Sequence, residues 1–241
     1  MIISYDYGHG VGQDRGANGK VNEEAEIRKY GPIVVNELMR QGHTLIDCTP
    51  KDDTMTLQQS LSYRTNKANA SGSQLHLCFH INAGGGHGAE MEVASDNGAK
   101  YAESILNEIC KLGFINRGIK RPNLWVTGHT NMPCVLLEPF FCDSASDVAL
   151  YNPNTLGLAI AKGIINIIGG NAKPIIKEEV KVNDNDVMPT GNNITPCNGG
   201  GWIERVADGR TILHQSRSVY LALTPDGHLN FTANGTTTKL V

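Results

Sequence analysis

Ile2-Ile3-Ser4-Tyr5-Asp6-Tyr7-Gly8-His9-Gly10 opens the chain, an apolar run that ends in a glycine-flanked polar loop. A short apolar run bounded in this way reads as a buried strand. The residues beyond Gly10 decide how that strand is used. After a glycine-rich stretch to Gly19, the residues Ile27, Tyr30, Ile33, Val34, Leu38 and Met39 recur at three- and four-residue spacing. That period predicts a helix with one buried face, and Gln41-Gly42 closes it. Thr44-Leu45-Ile46-Asp47-Cys48 predicts a second strand. Strand, helix, strand is the opening of an α/β fold.

The pattern continues downstream. Residues 56–70 predict a second helix, and Leu75-His76-Leu77-Cys78-Phe79-His80 a third strand, apolar on both faces as a central strand is. A glycine-rich link, residues 84–88, leads to the alternating strand 89–93. Tyr101, Ala102, Ile105 and Ile109 give residues 99–112 a helical period. Cys134-Val135-Leu136-Leu137-Glu138 predicts another central strand, and residues 154–168 a closing helix stopped by Gly169-Gly170. Residues 1–172 therefore predict an α/β domain with a mixed twisted sheet flanked by helices. Residues 173–201 have linker composition, charged at first and then rich in Pro, Gly, Asn and Thr. Residues 202–241 predict a small all-β appendage, with strands at 202–206, 210–215 and 219–223 and turn signals at Asp208-Gly209 and Asp226-Gly227. Its shortness suggests docking on the main domain or on a partner chain.

Composition narrows the function. The chain has 241 residues, 40% hydrophobic and 19% charged, with a formal net charge of −3. That balance gives no basic stripe for nucleic acid. No apolar run approaches the ~20 residues that span a bilayer, so membrane insertion is not expected. The first residues lack a basic n-region and a long apolar h-region, so synthesis in the cytoplasm without a secretory signal is the expectation. The six cysteines, Cys48, Cys78, Cys110, Cys134, Cys142 and Cys197, form no Cys-x-x-Cys pair and read as buried thiols.

Three ionisable residues stand at strand ends: His9, His80 and Glu138. Functional groups of α/β folds gather at the carboxyl ends of strands, so these three are candidates to converge, with Glu24 joining them from the start of the first helix. Two histidines and one carboxylate can ligate a catalytic zinc that keeps a position open for water. A further carboxylate could move the proton. Each residue also has a simpler reading. A strand-end histidine is commonly a hydrogen-bonding group, and a glutamate at a helix start answers the helix dipole. No His-Glu-x-x-His helix fixes two ligands locally.

The stretch from Ile3 to Gly10, with Asp14, Gly16, Ala17, Gly19 and Glu24, resembles the opening of the zinc-dependent N-acetylmuramoyl-L-alanine amidases of type 3. Phe79-His80-Ile81-Asn82-Ala83 is similar to the family block that carries a zinc-binding histidine. Met132-Pro133-Cys134-Val135-Leu136-Leu137-Glu138-Pro139-Phe140-Phe141 resembles the block that ends in the catalytic glutamate, and Arg64 with Ala68 and Asn69 matches a further signature. The blocks fall in family order over about residues 1–170. The resemblance implies one zinc ion on His9, Glu24 and His80, with Glu138 as general acid and base and Asn82 as a substrate contact. His87 and His129 are weaker candidates for contacts. Tyr7 stands where the family has proline. One extra residue between His9 and Asp14 points to Glu24 rather than Glu23 as the ligand.

The implied reaction is hydrolysis of the amide between N-acetylmuramic acid and L-alanine in peptidoglycan, which lyses the bacterial wall. A chain without a signal fits a phage endolysin made in the host cytoplasm and acting after release; an autolysin of mother-cell lysis fits as well. Two other readings stay open. One is a non-catalytic peptidoglycan- or glycan-binding protein, with Trp202, Tyr220 and Phe231 as a sugar-stacking surface. The other is a zinc peptidase cutting within the stem peptide. Residues 202–241 are candidates for wall binding or self-association.

Overall fold

A computed structural model describes residues 1–170 and, beyond them, the backbone of six strands between residues 194 and 240. It divides into two units, Met1–Pro174 and Ile175–Val241. In the first, β1 (Ile2–Tyr7), β2 (Thr44–Asp47), β3 (His76–Phe79), β4 (Ala89–Glu92), β5 (Asn116–Lys120) and β6 (Cys134–Glu138) form one sheet. Their order is β2-β1-β3-β6-β4-β5. Every neighbouring pair is parallel except β4 against β6, so the sheet is mixed, as the sequence predicts.

Alternation along the central strands explains why both faces are covered. Leu77, Phe79, Val135 and Leu137 point into the larger core, where they meet Ile27, Tyr30, Val34 and Leu38 of α1 (Glu23–Arg40). Ile105 and Ile109 of α3 (Asp96–Cys110) and Ile160 and Ile164 of α6 (Pro153–Ile168) complete it. Cys78, Cys134 and Leu136 point the other way, to Val126 of α4 (Trp125–His129) and Leu61 of α2 (Leu57–Ala70). Neighbouring strand residues thus serve opposite cores, the period-2 rule at work. The starts of α1 and α2 are capped: Asn22 accepts from the Ala25 N–H at 2.8 Å, and Thr56 with Gln59 forms a capping box. The helix layer is tight, because a Cβ at Gly163 of α6 would stand 2.5 Å from the Ile105 Cα of α3.

Three elements went unread in the sequence. β5 is a half-exposed edge strand carrying Arg117 and Lys120, without apolar alternation, as edges that resist further pairing often are. α4 and α5 (Ala145–Leu150) have five and six residues, too few to show a helical period. Cys48, Cys78, Cys134 and Cys142 are buried free thiols and Cys110 is half-buried; Cys197 lies outside the described residues. Among the described residues no helix is long and apolar enough to cross a membrane.

The described residues of the second unit form two three-stranded antiparallel sheets. One contains β7 (Ile194–Pro196), β8 (Gly201–Arg205) and β9 (Thr211–Gln215); the other β10 (Val219–Leu223), β11 (Leu229–Ala233) and β12 (Thr236–Leu240). β7 falls in the stretch that composition marks as linker, where the β-branched pair Ile194-Thr195 registers against β8. The Asp208-Gly209 and Asp226-Gly227 turn signals lie outside the described residues, but antiparallel strands flank each of them. Trp202 is in one sheet and Tyr220 and Phe231 in the other, where Tyr220 pairs with Thr232 and Phe231 with Leu221.

Candidate metal centre

The site forms where β1, β3 and β6, side by side and parallel, end at one edge. His9 lies two residues beyond β1 and His80 directly after β3. Glu138 is the last residue of β6, and the His80 N–H donates to the Leu137 carbonyl at 3.0 Å, which sets His80 and Glu138 side by side. The fourth group comes from α1. Its cap, Asn22, makes Glu23 the first helical residue, and the Glu23 carboxylate reaches between the two imidazoles.

Glu23 Oε1 is 3.1 Å from His9 Nε2 and 3.2 Å from His80 Nδ1, and the ring centroids stand 4.6 Å apart at 84°. One ligand atom from each of the three residues falls within 4.8 Å of the others. Each is held from behind. The Ala17 N–H donates to Glu23 Oε2 at 2.7 Å and the Ile81 N–H to Oε1 at 3.1 Å. The Tyr30 hydroxyl donates to the His80 carbonyl at 2.7 Å. His9 Nδ1 donates to Asp14 Oδ1 at 2.8 Å, and Asp14 Oδ2 accepts from the Ser60 hydroxyl at 2.6 Å and from Arg64. An imidazole whose outer nitrogen is bound to a carboxylate presents the other nitrogen in a fixed direction.

The electrostatics follow the geometry. Burial alone pulls the His9 pKa down, but hydrogen bonds to Asp14 and Glu23 outweigh it and lift it to about 9. Burial pushes Asp14 up, and its bonds from His9 and Ser60 with the Arg64 charge bring it down to about 2. Glu23 is held below the usual carboxylate range, its burial outweighed by bonds from His80 and His9. Glu138 goes the other way: burial, then the charges of Glu23, Glu92 and Glu90, push it well above that range. Its Oε2 is buried and has no hydrogen-bond partner among the described residues. Two imidazole nitrogens and a carboxylate oxygen, with a second carboxyl oxygen beside them that has no partner among the described residues, fit zinc in donor type and number.

The structure brings Glu23, not the expected Glu24, between the two histidines. Glu24 lies outside the cluster, its Oε1 3.4 Å from Arg15 Nη1. The loop before α1 closes on itself through Gly10 N–H to Asp14 O and Asp14 N–H to Val11 O, so an added residue there does not turn the helix. Asn82 is engaged within the chain: its amide donates to Glu90 Oε1 at 2.7 Å and its oxygen accepts from the Ala83 N–H. Glu90 also holds Arg117, which stacks over Phe141. His87 is an exposed loop residue. His129 is stacked on Trp125, with centroids 3.8 Å apart. Asp14, Arg28 and Arg64 received no role from the sequence, although Arg64 belongs to one of the matched blocks.

A donor set of two imidazoles and one carboxylate, with a second carboxylate alongside, is that of mononuclear metallohydrolases. The sequence profile of the family described as N-acetylmuramoyl-L-alanine amidase matches residues 3–169, and the chain belongs to that family. N-acetylmuramoyl-L-alanine amidase CwlM of Bacillus licheniformis is 32% identical over 171 residues, covering 68% of this chain and 66% of that protein. The sporulation-specific N-acetylmuramoyl-L-alanine amidase of Bacillus subtilis is 31% identical over 68% of this chain and 65% of its own length. The match thus spans slightly less than two thirds of these curated relatives. Among solved structures, the catalytic domain of the CD27L endolysin targeting Clostridia Difficile superposes with a TM-score of 0.65 at 26% identity. That likeness covers 69% of this chain and 97% of that domain.

Proposed function

We propose that this protein hydrolyses the amide between N-acetylmuramic acid and L-alanine in peptidoglycan, with one zinc ion on His9, Glu23 and His80. The observation that carries this reading is the meeting of those three side chains beside the unpartnered carboxyl of Glu138, in a chain of the amidase family. A zinc ion bound there would polarise the scissile carbonyl and bring water to a pKa near ~7.

The chain's own groups do the rest. Asp14 fixes the His9 ring, while Glu23 is fastened by the backbone of Ala17 and Ile81. Glu138 takes a proton from the attacking water and delivers it to the departing amine of L-alanine. Its burial beside Glu23, Glu92 and Glu90, which favours the protonated form, suits that return step. The C–N bond breaks, the water oxygen remains on the lactyl carboxylate, and the peptide leaves with a new amino terminus.

Its likeness to an endolysin catalytic domain supports action on the bacterial wall after release from the cytoplasm that makes it. Wall binding or self-association is the role we propose for residues 202–241.

The test is digestion of purified cell walls by the full chain, reading metal content and released amino termini together. New L-alanine termini and about one zinc per chain are expected, with both termini and turbidity loss abolished in Glu138→Gln. Termini from within the stem peptide would make it a peptidase. Wall binding without release would make it a binding protein.

A further inference from the structure

His9 is the one non-glycine residue with positive φ among the described residues, at 58°. A side chain in the left-handed region persists where its surroundings over-determine it. Those surroundings are two guanidinium groups. Arg28 Nη2 and Arg64 Nη2 each donate to the His9 carbonyl at 3.0 Å. With their other nitrogens Arg28 donates to the Gly8 carbonyl at 3.2 Å and Arg64 to the Tyr7 carbonyl at 2.7 Å. Three successive carbonyls at the end of β1 are thereby held by cations from both sides of the sheet, α1 and α2.

The flanking glycines fit the same arrangement. A Cβ at Gly8 would stand 2.5 Å from the His80 ring, and a Cβ at Gly10 would collide with the Arg28 guanidinium. Arg28 forms no carboxylate pair among the described residues; its remaining bond goes to the Glu24 carbonyl at 3.0 Å, one turn back in α1. Among the described residues its hydrogen bonds all go to backbone carbonyls, with the Glu24 carboxylate acting on its charge from further off.

We propose that Arg28 and Arg64 are positioning residues, a clamp on the His9 carbonyl that holds the left-handed turn and so aims the His9 ring at Glu23 and His80. The link to metal rests on the function proposed above; the clamp itself does not. Arg28 is the residue to test, since Arg64 is buried against Asp6 and its loss threatens the fold.

Two measurements on the full chain decide it. In the metal-free protein, amide exchange at Gly8 and Gly10 is expected to be several-fold faster in Arg28→Ala, with exchange in α3 and α6 unchanged. Zinc affinity, measured by chelator competition, is expected to fall ~10–100-fold, the scale on which supports of metal-binding histidines act. Arg28→Lys, whose ammonium lacks the planar fork, should fall between wild type and Arg28→Ala in both. Unchanged exchange at the loop in Arg28→Ala overturns the clamp. Where wild type binds zinc, an affinity within twofold of wild type in Arg28→Ala overturns the aiming of the His9 ring. If wild type binds no zinc, the metal reading fails separately and the exchange measurement still decides the clamp.

Discussion

One position in the chain separates Glu23 from Glu24, and successive helical residues point about 100° apart, so the choice between them is a choice of direction. Sequence spacing favoured Glu24 because it counted residues through the loop from His9 to Asp14. The structure counts from the Asn22 cap instead, and the loop's own hydrogen bonds absorb the length. His9, His80 and Glu138 are legible as candidates, since each ends an apolar strand and lies in a block that resembles the amidase family. The role of Asp14 is not legible in sequence, because no motif ties its carboxylate to the ring of His9. The two glutamates therefore separate cleanly by experiment. Glu23→Gln is expected to lose zinc retention on dialysis, whereas Glu24→Gln, which loses a pair with the half-exposed Arg15, keeps it and changes stability by less than ~1 kcal/mol. The reverse outcome would return the ligand role to Glu24. Asp14→Ala, which removes the acceptor facing His9 Nδ1, is expected to weaken zinc binding ~10–100-fold. A chelator titration giving wild-type affinity would remove Asp14 from the site.

The long helices and the central strands were legible because each carries its period within its own residues. β6 matched its sequence reading from Cys134 to Glu138, and α6 began one residue before its own, at Pro153 after the Asn152 cap. The edge strand β5 was not legible, because an edge that faces water need not alternate. The closeness of α6 to α3 was also hidden, since a glycine inside a helical pattern gives no sign of what lies over it. At Gly163 that neighbour is backbone, and the Ser104 hydroxyl donates to the Gly163 carbonyl at 2.8 Å. Because backbone cannot swing aside as a side chain can, Gly163→Ala must part the helices or bend one. The expected cost is ~1–3 kcal/mol, the range for overpacking, against the small gain in helix propensity that alanine brings. A urea midpoint at or above that of wild type would mean that the helix layer yields more easily than its spacing implies.

Across the whole first unit, the sheet carries a buried polar seam from its interior to the His9–Glu23–His80 cluster. Asp6 of β1 accepts from Arg64 and from His76 Nε2 at 2.9 Å, while His76 Nδ1 meets the Ser4 hydroxyl at 2.9 Å. Asp6, His76 and Ser4 are fully buried and Arg64 nearly so. Four such residues on adjacent strands and a helix were unreadable as a group, because only the β1–β3 register brings Ser4 opposite His76. The seam has a pH signature. Burial pushes Asp6 toward the neutral form, yet the Arg64 charge and the His76 bond outweigh it and depress the carboxyl below its ordinary range. A depressed carboxyl binds fewer protons folded than unfolded, so its stabilisation is present above ~4 and is lost as pH falls toward the depressed value. Asp6→Asn leaves the Arg64 charge buried beside an amide, which is expected to cost ~3–5 kcal/mol at pH 7. Below pH ~4 wild type forfeits the same contribution, so the difference between the two proteins should narrow steadily with acid. Urea unfolding at pH 7, 5, 4 and 3, followed at the helix signal, measures that gap. A difference as large at pH 3 as at pH 7 would mean that the seam acts through shape and hydrogen bonding rather than through the charge of Asp6.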